Sequence, residues 1–174
     1  MAITVVTKPV ALTWAHFTVT ANKIPDPNDG TLVDAVTRFH FDFPDKAPRK
    51  IINRFKMGDP NVITITPDAR VWNGVAQTAE LLSHEQLHYD VGTVVARALA
   101  RQLMQLEEGN LAALKTEFLK AFDLHIQTRA GLIQNRYDKD TAHGTVAHYQ
   151  KIWKDQMTAC LANPKATHIH GFWL

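Results

Sequence analysis

The spacing of hydrophobic and polar residues divides the chain at about residue 70. Before that point, short runs alternate between apolar and polar side chains, which is typical of half-buried strands. The clearest run, residues 38–43 (RFHFDF), places three phenylalanines on one face. Residues 24–30 (IPDPNDG) predict a turn. Further strands are predicted at residues 5–6, 14–20 and 61–66. Residues 1–70 are therefore predicted to be mainly β, forming a small antiparallel or mixed sheet.

The second part of the chain, residues 75–162, carries apolar residues at helical spacing. The first helix is predicted at about residues 75–107, before Gly109, and the second at about residues 111–133. The third begins after Thr141 and ends at Asn163-Pro164. The tail, residues 167–174, alternates and predicts a strand or an ordered arm. A sheet followed by helices, without regular strand–helix alternation, predicts an α+β fold in one domain spanning 1–174.

The first predicted helix contains an HExxH sequence at residues 84–88. On a helix, His84 and His88 lie on one face, so both imidazoles can bind one ion at about 2.0–2.1 Å. Glu85 projects beside the metal, where it can take a proton from a metal-held water without binding the metal itself. With nine His and five Glu in the chain, such a match is expected only about 0.01 times by chance. The sequence therefore predicts a zinc site with Glu85 as a catalytic residue.

The surroundings of this motif favour a metal over two solvated surface histidines. Apolar residues such as Leu82, Leu87 and Val91 flank the motif, so the helix is predicted to be a core element. Two buried imidazoles and a carboxylate are costly unless something compensates them, and a metal does so. The sequence alone does not separate zinc from manganese or cobalt.

A catalytic zinc site normally has three protein ligands, and the third is predicted downstream. His143 is the first candidate, because it lies at the start of the third predicted helix, where a polar residue can face a cleft. Asp90 points roughly 160° away from His88 around the helix, so it is predicted to support the site and not to bind the metal. Three further candidates for the third ligand remain open: His148, Asp138 and Asp140.

Several sequence strings carry a resemblance to a known family. They are Leu12-Thr13-Trp14, residues 81–90 (LLSHEQLHYD) and Tyr137-Asp138 followed by Thr141 and His143-Gly144. With these strings the chain resembles bacterial domain-of-unknown-function family 922, which is grouped with HExxH zinc-dependent proteases of the zincin clan. The resemblance implies a zincin-like fold, zinc, Glu85 as general base, peptide-bond hydrolysis and His143 as third ligand. Thr93 is a departure, since an acidic residue is expected there.

Two further roles are predicted for a peptidase mechanism. Tyr137 is a candidate donor to the oxyanion formed at the scissile carbonyl, and a purely packed tyrosine is equally compatible with the sequence. In zincins the substrate usually pairs with a strand edge beside the metal helix. Residues 62–66 form the nearest predicted strand and are the candidate for that edge, although they are equally compatible with an interior strand.

The resemblance implies a peptide or protein substrate, and composition excludes other classes of partner. The chain has 19 Lys and Arg against 17 Asp and Glu, too balanced to predict nucleic-acid binding. No apolar run is long enough for a membrane span, and Cys160, the only cysteine, cannot form an internal disulfide. The first ten residues predict no signal peptide, so the chain as it stands would be cytoplasmic, whereas the resemblance implies exported members. No feature predicts an oligomeric state.

Three other functions are compatible with the same motif. The chain could be a zincin-fold protein that keeps zinc but only binds a peptide or partner, although retention of Glu85 speaks against this. It could be a zinc amidase that acts on cell-wall peptides, or a toxin that cleaves one partner protein.

Overall fold

The computed structural model describes residues 4–8, 10–43, 47–57 and 62–174. Asn61, the first residue of a predicted strand, and residues 1–3 of the segment assessed for a signal peptide lie outside these ranges. The described strands are β1 (Thr4–Thr7), β2 (Phe17–Thr20), β3 (Ile24–Pro25), β4 (Leu32–Val33), β5 (Ala35–Asp42), β6 (Arg49–Ile51), β7 (Arg54–Lys56), β8 (Val62–Trp72), β9 (Glu107–Glu108), β10 (His168–Ile169) and β11 (Phe172–Trp173). The helices are α1 (Ala79–Leu103), α2 (Leu111–Phe122), α3 (Ala130–Thr141) and α4 (Ala147–Ala162). The predicted α+β class is confirmed.

The main sheet is built around β8. On one edge β8 pairs in parallel with β1 and, further along, with β2. On the other edge it pairs antiparallel with the whole of β5. Residues 62–66 therefore belong to the central strand, flanked by β1 and β5, which is the interior-strand alternative and not the substrate edge. Among the described residues β5 pairs only with β8, so β5 is an edge strand.

The predicted strands are confirmed where alternation is strong. Phe39, Phe41 and Phe43 lie on one face of the predicted run, and the latter two make edge-to-face contacts with Phe122 of α2. The strand predicted at residues 14–20 is shorter in the structure. Its first part is a 3-10 turn, Trp14–His16, because the backbone N–H of Thr13 donates to the His16 ring and turns the chain.

The helices differ from the prediction mainly at their ends. α1 begins at Ala79 because the side chain of Thr78 accepts a hydrogen bond from the backbone N–H of Leu81. α2 continues through a π-helix, Asp123–Arg129, directly into α3. The long run ends at Thr141, after which Ala142 has φ 43°. The third predicted helix, α4, therefore starts only at Ala147. The tail forms an antiparallel hairpin of β10 and β11.

α1 lies between the sheet and the other helices. One side packs against apolar residues of the sheet, where the Tyr89 hydroxyl donates to the carbonyl oxygen of Ile65 at 2.9 Å. The other side packs against α3, α4 and the tail, through residues such as Val91, Ile133 and Trp153. Gly92 permits the close approach to β5, since a Cβ there would lie 2.8 Å from the Phe39 ring. No helix in the described part of the chain has the length and apolar character of a membrane span.

Candidate metal site

His84 and His88 lie in the first half of α1 and turn toward the same point. Their Nε2 atoms are 3.1 Å apart, and both residues are buried. The turn after α3 closes over His84 so tightly that a Cβ on Gly144 would lie 3.0 Å from Cγ of the His84 ring. Gly144 has φ +85°, which other residues rarely adopt. The loop geometry therefore requires glycine at position 144, which covers His84.

Asp138, which α3 directs at α1, completes the group. Its Oδ1 atom lies 2.9 Å from Nε2 of His88 and 3.2 Å from Nε2 of His84. Three donor atoms on one zinc, with bonds of about 2.0–2.1 Å, are about 3.3–3.4 Å apart in tetrahedral geometry. The measured separations of 2.9–3.2 Å are a few tenths of an ångström shorter, so two imidazoles and a carboxylate would fit a zinc ion after a small outward movement, with one position left for a water or substrate.

Two glutamines fix the outer ring nitrogens of the histidines. Oε1 of Gln150 lies 3.3 Å from Nδ1 of His84, and Oε1 of Gln134 lies 3.2 Å from Nδ1 of His88. Because an amide oxygen only accepts, these hydrogen bonds suit rings that carry a hydrogen on Nδ1, with Nε2 directed at Asp138. This arrangement holds metal-binding histidines in the required tautomer and orientation.

The charges of His84, His88 and Asp138 depend strongly on one another. Burial disfavours the charged His88 imidazole, but the neighbouring Asp138 carboxylate outweighs that effect and raises the pKa of His88 from 6.5 to about 9. Burial alone would raise the pKa of Asp138, yet His88 and His84 hold it well below its usual range. The buried carboxylate thus depends on positive charge at this point, whether from protons or from a metal ion.

Glu85 brings a further carboxylate to the same cavity. The residue is 2% exposed, and its Oε2 atom has no hydrogen-bond partner among the described residues. Buried polar atoms are nearly always partnered, so an unpartnered carboxylate oxygen indicates a position for a water or ligand. The cavity has a volume of about 210 Å³ and is also lined by His84, His88 and Asp138.

Asp138, and not His143, is grouped with the two histidines in the structure. His143, the first candidate for third ligand, is not at a helix start but in the left-handed turn after α3, with φ 52°. Its Nδ1 atom lies 3.7 Å from Oδ1 of Asp138, and its side chain is 37% exposed. Asp140 pairs with Arg136 at 2.8 Å, and His148 is exposed. Neither of these two residues belongs to the group around His84 and His88.

Tyr137 lies beneath the histidines, outside the residues that line the cavity. Its ring stacks on the His84 ring at a centroid distance of 4.7 Å, and the residue is fully buried. Its hydroxyl accepts a hydrogen bond from Nε2 of Gln150 and donates to the carbonyl oxygen of His84 at 3.4 Å. Burial raises the pKa of this phenol. These contacts favour a packing role for Tyr137 and provide no support for the predicted oxyanion donor.

Asp26 is a cavity residue that the sequence did not predict. It belongs to the turn predicted at residues 24–30, and its buried carboxylate reaches within 3.8 Å of Nδ1 of His143. The turn residues themselves carry no signal for this role, because the contact depends on how the turn packs against α3. Gln134 and Gln150 were likewise not predicted, since glutamine beside a metal histidine has no distinctive sequence pattern.

Asp90, predicted to support the site without binding metal, lies one turn after Gln86 on α1, and the two side chains are hydrogen-bonded at 2.9 Å. Burial raises its pKa from 3.8 to about 6. A raised carboxyl pKa stabilises the fold below about pH 4, and this contribution is lost as the pH rises through about 6. Asp90→Asn is therefore expected to raise the free energy of unfolding by about 1–2 kcal/mol at neutral pH and by little at about pH 4.

Urea unfolding at the two pH values measures this effect, with the exposed Asp155→Asn as the matched control. A gain in Asp90→Asn that is the same at both pH values would contradict the assignment of the effect to the buried charge.

Comparison with known families gives one match. The model of a family described as bacterial protein of unknown function (DUF922) matches residues 60–144, just under half of the chain. The matched stretch contains β8, α1, Asp138 and His143, so it supports the family resemblance over these elements. Comparisons with curated proteins and with solved structures gave no match.

Proposed function

We propose that the chain is a zinc-dependent hydrolase, specifically a metallopeptidase with Glu85 as its general base. The observation that carries the proposal is the unpartnered, buried Oε2 of Glu85 in the same cavity as three converging donor atoms. A purely structural metal site would not need that carboxylate. A zincin-like fold is part of this proposal. It is supported by the HExxH helix, which lies against a sheet whose edge strand borders the cavity.

The residues that would hold the metal are His84, His88 and Asp138. A zinc ion bound there would supply a Lewis acid, which polarises a carbonyl and makes water more acidic. Asp138 takes the place of His143 as the proposed third ligand because Oδ1 of Asp138 lies within 3.2 Å of both histidine nitrogens.

Glu85 has the position and burial that a general base requires. It follows His84 directly on α1 and lines the cavity. We infer that its carboxylate takes the proton of the attacking water and delivers it to the leaving amine. Because Oε2 accepts no hydrogen bond from the described residues, it is free to accept one from that water.

The substrate is proposed to pair with β5. The backbone N–H of Trp72 donates to the carbonyl oxygen of Asp34 at 2.8 Å. In an antiparallel pair the hydrogen-bonded positions alternate, so the N–H and C=O groups of Ala35 and Thr37 point away from β8. Pro67 has no N–H, and it lies opposite Phe39, at a position where β8 donates no hydrogen bond to β5. Its place in β8 therefore agrees with this register.

The free edge of β5 and the metal site share one cavity, which Ala35 and Thr37 line together with Glu85. An extended peptide can add to this edge through main-chain hydrogen bonds. β5 thereby replaces residues 62–66, the candidate edge considered from the sequence. Within the described ranges, the lining of this cavity indicates no side-chain preference.

Methylated peptides test the pairing with β5 without altering the protein. N-methylation of a backbone amide that pairs with β5 is expected to raise KM by about tenfold, as loss of one hydrogen bond predicts. Methylation of the next amide along, which faces away from β5, is expected to change KM little. Equal sensitivity at successive amides would contradict pairing with a strand edge.

A peptide library, assayed with and without a chelator, tests the proposed activity itself. Cleavage that is lost on chelation and restored by Zn²⁺ supports the metallopeptidase. Zinc-dependent binding without cleavage would favour the binding module. Cleavage restricted to murein peptides would favour the cell-wall amidase.

A further inference from the structure

We propose that Asp26, Asp138 and His143 bind a second divalent cation, Zn²⁺, beside the first. The inference rests on the proposed function, since it adds a neighbouring ion to the same cavity. One donor atom from each of the three residues lies within 4.8 Å of the other two. Asp138 belongs both to this group and to the group with His84 and His88, so its carboxylate would be shared.

The distances in the second group suit a cation better than hydrogen bonds. Nδ1 of His143 lies 3.7 Å from Oδ1 of Asp138 and 3.8 Å from Oδ2 of Asp26. Both distances exceed the upper limit of a hydrogen bond. Donor atoms bound to one zinc, by contrast, are separated by about 3.0–3.8 Å over the usual range of bond angles. The two distances from His143 thus fall within the range for ligands of one zinc, and the third pair, Asp26 and Asp138, lies within 4.8 Å.

The charge of the cavity also calls for a further cation. Asp26 is only 7% exposed. Its Oδ1 atom accepts a hydrogen bond from the backbone N–H of Asn28 at 2.7 Å, whereas Oδ2 faces Nδ1 of His143 at 3.8 Å. With Glu85 and Asp138, the cavity holds three buried carboxylates. One zinc ion offsets two of these charges and leaves one, which would attract a further cation. Lys23, which also lines the cavity, is already paired with Asp34 at 2.9 Å.

The chain holds the three residues in place from separate elements. The turn between β3 and β4 carries Asp26, and its Asn28 side chain donates to Oδ2 of Asp138 at 3.4 Å. The backbone N–H of His143 donates to the carbonyl oxygen of Asp138 at 3.0 Å, which directs the turn after α3 back toward the cavity. The partial exposure of His143 leaves this side accessible to a cation from solvent.

Two ions that share a carboxylate would alter the chemistry of the site. In two-metal sites the ions lie about 3.5–4 Å apart and stabilise the attacking and leaving groups together. Aspartate oxygens and a histidine nitrogen are all established zinc ligands. The second ion would place Asp26 and His143 in the metal centre, although neither belongs to the HExxH motif.

Zinc stoichiometry of the tag-free chain tests the proposal. Apoprotein is titrated with Zn²⁺ against a chromophoric chelator, and bound metal is counted by mass spectrometry. The wild-type chain is expected to bind two zinc ions. Asp26→Asn and His143→Ala are each expected to weaken the second ion by at least about 100-fold and to keep the first. Asp29→Asn, a change at an exposed carboxylate in the same turn, is the matched control and is expected to keep both.

The outcomes of this titration separate the second site from the first. One zinc in the wild-type chain, lost in His84→Ala but retained in Asp26→Asn, would overturn the second site and leave the proposed function intact. One zinc that is lost in both variants would also overturn it, because Asp26 would then belong to a single centre. No zinc at all would contradict both proposals. Circular dichroism verifies that each variant is folded, and X-ray absorption is expected to show a zinc–zinc distance of about 3.5–4 Å in the wild-type chain alone.

Discussion

Replacement of Glu85 by glutamine is expected to abolish most of the hydrolytic activity while zinc stays bound. The amide has nearly the shape of the carboxylate but cannot accept the proton of the attacking water. Loss of a general base typically lowers kcat by about 10²–10⁴-fold. His84, His88 and Asp138 are unchanged, so the affinity for zinc is expected to stay within about threefold of the wild-type value.

The measurement is kcat for a cleaved peptide, together with the zinc content of the same preparation. Glu80→Gln is the matched control, because Glu80 lies in the first turn of α1 and is exposed. It removes the same charge from the same helix without changing the cavity. Undiminished activity in Glu85→Gln with zinc present would remove Glu85 from the mechanism, and loss of zinc in that variant would make it a structural residue.

The stability of the Glu85→Gln variant gives a second, independent test of the role of Glu85. Oε2 of Glu85 is buried without a partner among the described residues. An unsatisfied buried charge is destabilising, so the neutral amide is expected to leave the metal-free protein at least as stable as the wild type. An inactive variant with wild-type stability therefore separates a loss of chemistry from a loss of fold.

The parts of the fold that the sequence predicted well are those set by local spacing. Alternation at residues 38–43 identified β5, because the pleat places every second side chain on one face. Pro67 obscured the full length of β8, since proline usually argues against a central strand. It is accommodated because its partner, Phe39, occupies a position that needs no hydrogen bond from residue 67. That register depends on strand pairing and is invisible in a single strand.

In the candidate site, too, the sequence predicts what local spacing determines and not what depends on long-range packing. His84 and His88 could be paired from the sequence because their spacing on a helix is a local property. Asp138 could only be one of several candidates, because its approach to α1 depends on α3 continuing to Thr141. The expected start of the third helix placed His143 in the wrong type of element. Asp26 reaches the cavity only through packing of a distant turn, which no spacing rule predicts.

Asp138→Asn is expected to have the largest effect on metal binding of any single change outside the HExxH motif. An amide oxygen carries no negative charge, so the zinc dissociation constant is expected to rise by at least about 100-fold. At a zinc concentration about 1,000 times the wild-type dissociation constant of the ion held by His84 and His88, that ion alone stabilises the wild-type fold by about 4 kcal/mol. The variant would retain only about 1.4 kcal/mol of that stabilisation under the same conditions.

The measurement is the zinc-dependent rise in Tm, with Asp140→Asn as the matched control. Asp140 lies two residues further on α3, where it pairs with Arg136 and accepts a hydrogen bond from Trp153. His143→Ala discriminates between the two candidate third ligands. It is expected to retain the zinc held by His84 and His88, because Asp138 remains. The opposite result, a full zinc-dependent rise in Tm for Asp138→Asn and none for His143→Ala, would assign the third ligand to His143. The close approach of Asp138 to both histidines would then reflect only charge pairing in the metal-free protein.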